Sequence, residues 1–264
     1  MSAEPVGLLF DMSRCAGCRD CVEACMKKQG FEGDPKLVEK LSATSYTCMV
    51  EDDEENARRN MCRHCVDPAC ASVCPVGALI KTEEGPVIYD AAKCIGCRYC
   101  MVACPFNIPR YEWHNPVPAV QKCDMCFDRV KEGKLPACAE ACEYEATVFG
   151  TRKELLEIAR ERIEEDPDDY LDHIYGETEI GGTSVMFITP YPVEELGYKP
   201  ILGEKPLPSL TMRQLDRVPA IVVGGSAALM SIWWMTNRRD EVQAWEAEQK
   251  ANGSKGSNGR NGHE

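Results

Sequence analysis

Along most of the chain the apolar positions come in short runs, and only two stretches are long enough for a helix of any size. Residues 43–50, with Tyr46, Cys48 and Val50, form a β-prone run that predicts a strand. Ala78, Leu79, Ile80 and Lys81, then Glu83, Glu84 and Gly85, then Val87, Ile88 and Tyr89, read as two strands around a glycine-containing turn. Thr151 followed by Glu154 is a capping-box pair that opens a helix. Leu155, Leu156, Ala159 and Ile163 keep one apolar face to about Glu164, and Asp166, Pro167 and Asp168 stop it. Gly181 and Gly182 introduce a predicted strand over 184–189. Residues 37–41 are expected as a short turn or strand, and the five acids at 51–55 as a solvated loop. The Pro- and Gly-rich stretch 190–208 is expected to run along a surface.

Residues 218–237 carry no charge, and 218–235 are mostly apolar. At 1.5 Å per residue such a segment covers about 30 Å, the thickness of a bilayer core, so a transmembrane helix is expected. Trp233 and Trp234 stand at one end, where aromatic belts form. Gly224, Gly225, Ser226, Ala227 and Ala228 offer a small-residue face for another helix. Residues 240–248 are expected to extend the helix, and 251–264, rich in Gly, Asn and Ser, to be disordered. The first ten residues lack the basic region of a cleavable signal. Arg238 and Arg239 favour a cytoplasmic tail, while Arg213 and Arg217 weaken that bias.

Composition changes the picture in two ways. Lys and Arg number 30 against 43 Asp and Glu, a formal charge of −13, which excludes the electrostatics of a nucleic-acid binder. Seventeen of 264 residues are Cys, too many for an enzyme with a few buried thiols and, being odd, not a complete disulfide framework. Sixteen fall into four groups: Cys15, Cys18, Cys21, Cys25; Cys62, Cys65, Cys70, Cys74; Cys94, Cys97, Cys100, Cys104; and Cys123, Cys126, Cys138, Cys142. Groups one and three share the spacing C-x2-C-x2-C-x3-C; group two widens the middle gap to four residues and group four to eleven.

A loop with Cys at i, i+3 and i+6 can curl around an iron–sulfur cube and present three thiolates. The next Cys, expected to begin a helix and face away, ligates the other cluster of a pair, as in two-cluster ferredoxins. Groups two and three both end in Cys-Pro (Cys74-Pro75, Cys104-Pro105) and lie close in sequence, so they pair; groups one and four pair by elimination. The expected [4Fe-4S] ligand sets are Cys15, Cys18, Cys21 and Cys142 for cluster A; Cys123, Cys126, Cys138 and Cys25 for cluster B; Cys62, Cys65, Cys70 and Cys104 for cluster C; and Cys94, Cys97, Cys100 and Cys74 for cluster D. The long gap in group four also suits a different cluster type.

C-x2-C pairs also build zinc sites, usually as two separated pairs rather than triplets followed by Cys-Pro. A zinc-stabilised, membrane-tethered interaction protein is therefore the alternative of another class. Cys48, outside the groups, is expected as a buried structural thiol. Arg14, Arg19, Arg63, Lys93, Arg98 and Lys122 stand beside ligands, either raising potentials or serving as surface charge. His64 and His114 are either near a cluster or an acceptor, or ordinary packing residues. No catalytic constellation or nucleotide fingerprint stands out, so the expectation is electron relay without a catalytic site of its own.

The four groups and the terminal apolar helix resemble the iron–sulfur β-subunits of membrane-bound respiratory oxidoreductases, and among them the four-cluster subunit of quinone-linked [NiFe] hydrogenases. His173, Ile174, Tyr175 and Gly176, then Gly181, Gly182, Thr183, Ser184, Val185 and Met186, and also Val193, Glu194, Glu195, Leu196 and Gly197, share in that resemblance, which covers about residues 8–235. The β-subunit of membrane-bound formate dehydrogenase shares the cysteine plan and the anchor. The resemblance implies a catalytic partner with nickel–iron or molybdenum/tungsten chemistry, an integral membrane subunit that passes electrons to quinone or haem, and contact with the bilayer. It implies a periplasmic cluster domain, co-exported with its partner, with the cytoplasmic side as the alternative. The expected fold is α+β: tandem two-cluster ferredoxin-like modules with short hairpins and helices, plus one C-terminal transmembrane helix. The expected domains are 1–210 for the clusters (module 62–104; module 8–30 with 120–150; insert 31–60; extension 151–210), 218–237 for the anchor and 238–264 for a polar, partly disordered tail.

Overall fold

The computed structural model describes residues 4–51, 57–113, 115, 119–192 and 203–256. It divides into two compact units, Met1–Leu210 and Thr211–Glu264. In chain order the first unit contains β1 (Val6–Asp11), α1 (Asp20–Gln29), β2 (Thr47–Glu51), β3 (Ala57–Met61), α2 (Ala69–Ser72), β4 (Leu79–Lys81), β5 (Val87–Tyr89) and α3 (Tyr99–Ala103). There follow β6 (Arg110–Tyr111), β7 (Val120–Gln121), α4 (Phe127–Lys131), α5 (Ala137–Glu140), β8 (Thr147–Thr151), α6 (Arg152–Glu165), β9 (Val185–Ile188) and the start of α7 (Leu207–Leu215). The mixture of small sheets and short helices is the α+β class expected.

The largest sheet has the order β8-β1-β9, with β1 antiparallel to β8 and parallel to β9. Its alternating side chains separate two apolar cores. Leu8, Phe10, Val185 and Phe187 face a core shared with Val22, Met26, Met49 and Met61. Leu9, Met186 and Ile188 face the other way, onto Leu155, Ala159 and Ile163 of α6. Thr151 caps α6 as its sequence predicts: its hydroxyl accepts from the Glu154 N–H, and the Glu154 carboxylate accepts from the Thr151 N–H at 2.9 Å. The predicted hairpin at 78–89 is β4 paired with β5, Ile80 opposite Ile88.

Of the short turn or strand expected over 37–41, a 3-10 turn, Pro35–Leu37, capped by Asp34, reaches the start of this stretch and no strand forms there, because Pro35 presets a helical φ. The central strand β1 lies where the sequence reading had placed no element. At the C-terminal end one expectation is corrected. The helical region continues to Gly256, so 251–256 are not the irregular tail expected.

Gly7 on β1 is required by close approach rather than by φ. A Cβ there would stand 2.1 Å from the Ser184 carbonyl oxygen, beside the Leu8 N–H to Ser184 O bond of 2.8 Å. Gly7→Ala is expected to push β9 off β1 at a cost of about 1–3 kcal/mol, read as a lowered thermal midpoint of the anaerobic protein.

The second unit is helical. After α7, α8 (Val218–Gly256) runs 39 residues, about 58 Å at 1.5 Å per residue and longer than a bilayer core. The stretch Leu207–Lys250 has a mean hydropathy of 1.6 in its most apolar window and is long and apolar enough to cross a membrane. Ile221, Val222, Leu229, Ile232 and Trp233 are all exposed. Two of its hydroxyls are satisfied within the helix, Ser231 donating to Ala227 O at 2.8 Å and Thr236 to Ile232 O at 3.0 Å, as a lipid surrounding demands. Residues 193–202, with part of the Pro/Gly-rich stretch and the Val193–Gly197 resemblance, lie outside the described residues, as do His114, most of the acidic run at 51–55 and residues 257–264.

Candidate metal centres

The four cysteine loops share one backbone device. The residue two places after the first Cys of each group takes a positive φ: Gly17 (67°), His64 (46°), Gly96 (69°) and Met125 (60°). The left-handed turn aims an amide at the preceding sulfur. The Gly96 N–H bonds Cys94 Sγ at 3.4 Å, and the Met125 N–H bonds Cys123 Sγ at 3.3 Å. Glycine adopts this conformation freely; His64 and Met125 do so at about 1–2 kcal/mol each. Arg19 and Arg98, also left-handed, start α1 and α3 just after the second Cys of groups one and three. The helix therefore begins before the closing Cys rather than at it, which corrects the sequence reading: Cys25 lies inside α1, and Cys104 caps the end of α3.

Two small cavities are lined by cysteines from more than one group. Cys15, Cys18 and Cys21 meet Cys142 around one. Cys94, Cys97 and Cys100 meet Cys74 around the other. The remaining eight are deeper. Burial, then neighbouring Cys62, Cys104 and Cys70, push the Cys65 thiol up. Cys70 is raised to about 12 by burial and then by Cys62. Burial followed by Cys138 raises Cys25, which also has Cys126 beside it. Cys123 is raised by burial and then by Cys25, with Asp124, Cys62 and Cys138 adding to it.

All seventeen thiols are free. Thiols raised in this way stay protonated at neutral pH until a metal cation displaces the proton. Cys74 shifts the other way: burial works upward, but the N–H groups of Leu79, Val76, Ala78 and Gly77 outweigh it and bring the thiol below its usual value. Such amides stabilise thiolate charge. Among the described residues no three His, Cys, Asp or Glu side chains gather closely enough to hold a single metal ion. A donor set of many buried thiols, grouped around cavities and served by N–H···S bonds, fits clusters whose ligand sulfurs stand further apart than those of a mononuclear site.

The cations named from the sequence divide sharply. Arg63 is buried at 2% exposure, its guanidinium 3.8 Å over the Phe187 ring. Lys122 is also buried and donates to Val87 O and, at 2.8 Å, to Cys123 O. Arg14, Lys93 and Arg98 are exposed, and Lys93 pairs with Asp90 at 3.2 Å. Arg19 reaches the Lys36 carbonyl at 2.9 Å. His64 is fully buried and accepts the Val87 N–H at Nδ1, 2.9 Å away; burial, then Lys122 and Lys81, push it well down, so it stays neutral. Cys48 is fully buried on β2.

Sequence reasoning missed Arg59. It sits in a charged stretch that reads as surface, yet β3 alternates, and Arg59 shares the buried side with Ala57 and Met61. That alternation was the available signal.

A small α+β protein whose concentrated chemistry is a set of grouped thiols fits a ferredoxin-type electron carrier. Comparison with known proteins agrees. The family described as a 4Fe-4S dicluster domain matches residues 55–152. A protein of Nitratidesulfovibrio vulgaris (strain Hildenborough) is 41% identical over 256 residues, covering 91% of this chain and 69% of the relative. The hydrogenase-2 operon protein HybA of Escherichia coli O157:H7 is 40% identical over 235 residues, 72% of each chain. The iron-sulfur subunit of the nitrate-inducible formate dehydrogenase of Escherichia coli K12 is 37% identical over 203 residues, covering 69% of this chain and 67% of the relative. The chain belongs to the ferredoxin-type iron–sulfur subunits of respiratory oxidoreductases, and it is an electron-transfer subunit carrying [4Fe-4S] clusters.

Proposed function

We propose that the chain holds four [4Fe-4S] clusters and relays single electrons between a catalytic subunit and a quinone-reactive membrane subunit. Cluster A takes Cys15, Cys18, Cys21 and Cys142; cluster B takes Cys123, Cys126, Cys138 and Cys25; cluster C takes Cys62, Cys65, Cys70 and Cys104; cluster D takes Cys94, Cys97, Cys100 and Cys74. The observation that carries this reading is the cavity at which three cysteines of group one meet the last cysteine of group four. Electrostatic influence between sets supports the order A, B, C, D: Cys138 acts on Cys21, Cys62 on Cys123, and Cys100 on Cys70. When bound, the clusters supply the one-electron chemistry. The chain's own work is to bury their thiolates and direct N–H groups at them. Residues 62–104 form one two-cluster module, and 8–30 with 120–150 the other, while 31–60 is an insert and 151–210 an extension.

The catalytic partner is a [NiFe] hydrogenase, a reading supported by the likeness to HybA. The likeness to a formate dehydrogenase subunit supports the second reading, a molybdenum or tungsten partner. The span 218–237 anchors the subunit in the bilayer, with the cluster domain on the periplasmic side. Anaerobic purification should give about sixteen iron and sixteen acid-labile sulfide per chain, as four cubanes require. Zinc without sulfide would reject the cluster reading. Reduction of the clusters in membranes by hydrogen and not by formate supports the hydrogenase partner, and the reverse outcome the other.

A further inference from the structure

Arg59 is 1% exposed, lying opposite Met49 in the β2–β3 pair. Its Nε donates to Thr47 Oγ1 at 2.9 Å and its Nη1 to Thr147 Oγ1 at 3.0 Å. The guanidinium also bonds the Cys138 sulfur, and Cys21 and Cys123 are its next strong electrostatic neighbours. Cys21 belongs to set A, Cys138 and Cys123 to set B. The same charge acts on Cys15 and Cys25. Thr47 and Thr147 are themselves buried and neutral, so they orient the guanidinium without cancelling its charge. Arginine does not lose its proton in proteins, and burying it costs too much to be a packing convenience.

We propose that Arg59 sets the reduction potentials of clusters A and B together, as a fixed positive charge lodged between them. This rests on the reading that those two sets hold [4Fe-4S] clusters. Reduction adds one electron to a cluster whose net charge is already negative, with no atoms exchanged; the electron comes from the neighbouring centre. A buried cation beside both clusters favours the more negative state of each, because the interior screens charge weakly. The potentials of A and B are raised, and the first two steps of the relay are kept near one level. The β2–β3 hairpin, an insert by sequence, thereby acquires a role: it carries a charge into the interior. Cluster C instead has Lys122, whose charge opposes the burial that raises Cys70 and Cys104, so clusters C and D serve as internal controls.

The test is a redox titration of the full chain in its native membrane complex, followed by electron paramagnetic resonance. Cys15→Ser and Cys126→Ser preparations identify the A and B signals. Arg59→Gln is expected to lower the reduced-to-oxidised ratio of A and B at least about tenfold at fixed ambient potential, a shift of about 59 mV for a one-electron couple. C and D should move little, and Arg59→Lys should keep most of the wild-type potential. Unchanged A and B, an equal shift of all four clusters, or equal effects of the Gln and Lys variants would overturn the proposal. If Arg59→Gln fails to load A or B, Thr47→Asp decides, because it sets a carboxylate against the guanidinium without removing it. Lowered A and B then support the proposal, and unchanged midpoints overturn it. A wild-type sample without reducible clusters instead overturns the cluster reading beneath it.

Discussion

Cys25→Ser is expected to abolish the cluster held by Cys123, Cys126 and Cys138 and to leave the one held by Cys15, Cys18 and Cys21 in place. Cys25 follows Cys21 directly in its group, so sequence proximity alone would assign it to the first cluster. Its position in α1 turns it away from its own loop: it is buried, with Cys138 its strongest thiol neighbour and Cys126 also close. Serine offers a hard oxygen where iron prefers a soft thiolate, and the site is too buried for water to substitute well. Because B stands second in the proposed order, its loss should interrupt the whole relay. Substrate-linked quinone reduction should fall to near background while the cluster A signal persists. Spectroscopy showing loss of A with B intact would refute the crossed ligation.

The second large effect is expected in α8. Leu229→Arg places a charge near the middle of the uncharged segment, where an arginine costs about 2.5–3.5 kcal/mol of insertion free energy. Leu229 is exposed, so the substitution disturbs no packed core. Most of the protein should move from the membrane to the soluble fraction, with its iron and sulfide content retained because Met1–Leu210 forms its own compact unit. Quinone-linked electron transfer should fall in proportion to the released fraction. Retention of the variant in carbonate-washed membranes would show that α8 is held by protein contacts rather than by lipid.

The elements legible in the sequence are those whose cause is local. The capping pair Thr151 and Glu154, the Gly-containing turn between β4 and β5, and the uncharged run starting at Val218 each carry their signal within a few residues. Strand β1 was not legible. Val6–Asp11 is short, and what makes it a strand is pairing with β8 and β9, both far along the chain. Strand β3 was hidden by its charges: nothing in the sequence separates Arg58 from Arg59 until the buried alternation of Ala57, Arg59 and Met61 appears. Gly17 and Gly96 announce the left-handed turn of their loops, whereas His64 and Met125 adopt the same turn without any composition signal. Only the constraint of the surrounding loop holds them there.

By itself the sequence determined the class of chemistry and where its donors lie. Cysteine spacing in a short loop is a covalent matter: three thiols at three-residue steps can wrap one compact centre whatever the rest of the chain does. It also determined the apolar span, since length and hydropathy are properties of one segment. The tertiary structure decided which cysteines from distant groups share a cavity and which cations are buried beside them. Those facts depend on elements separated by much of the chain being packed together, and a buried arginine and a surface arginine are the same letter until that packing exists.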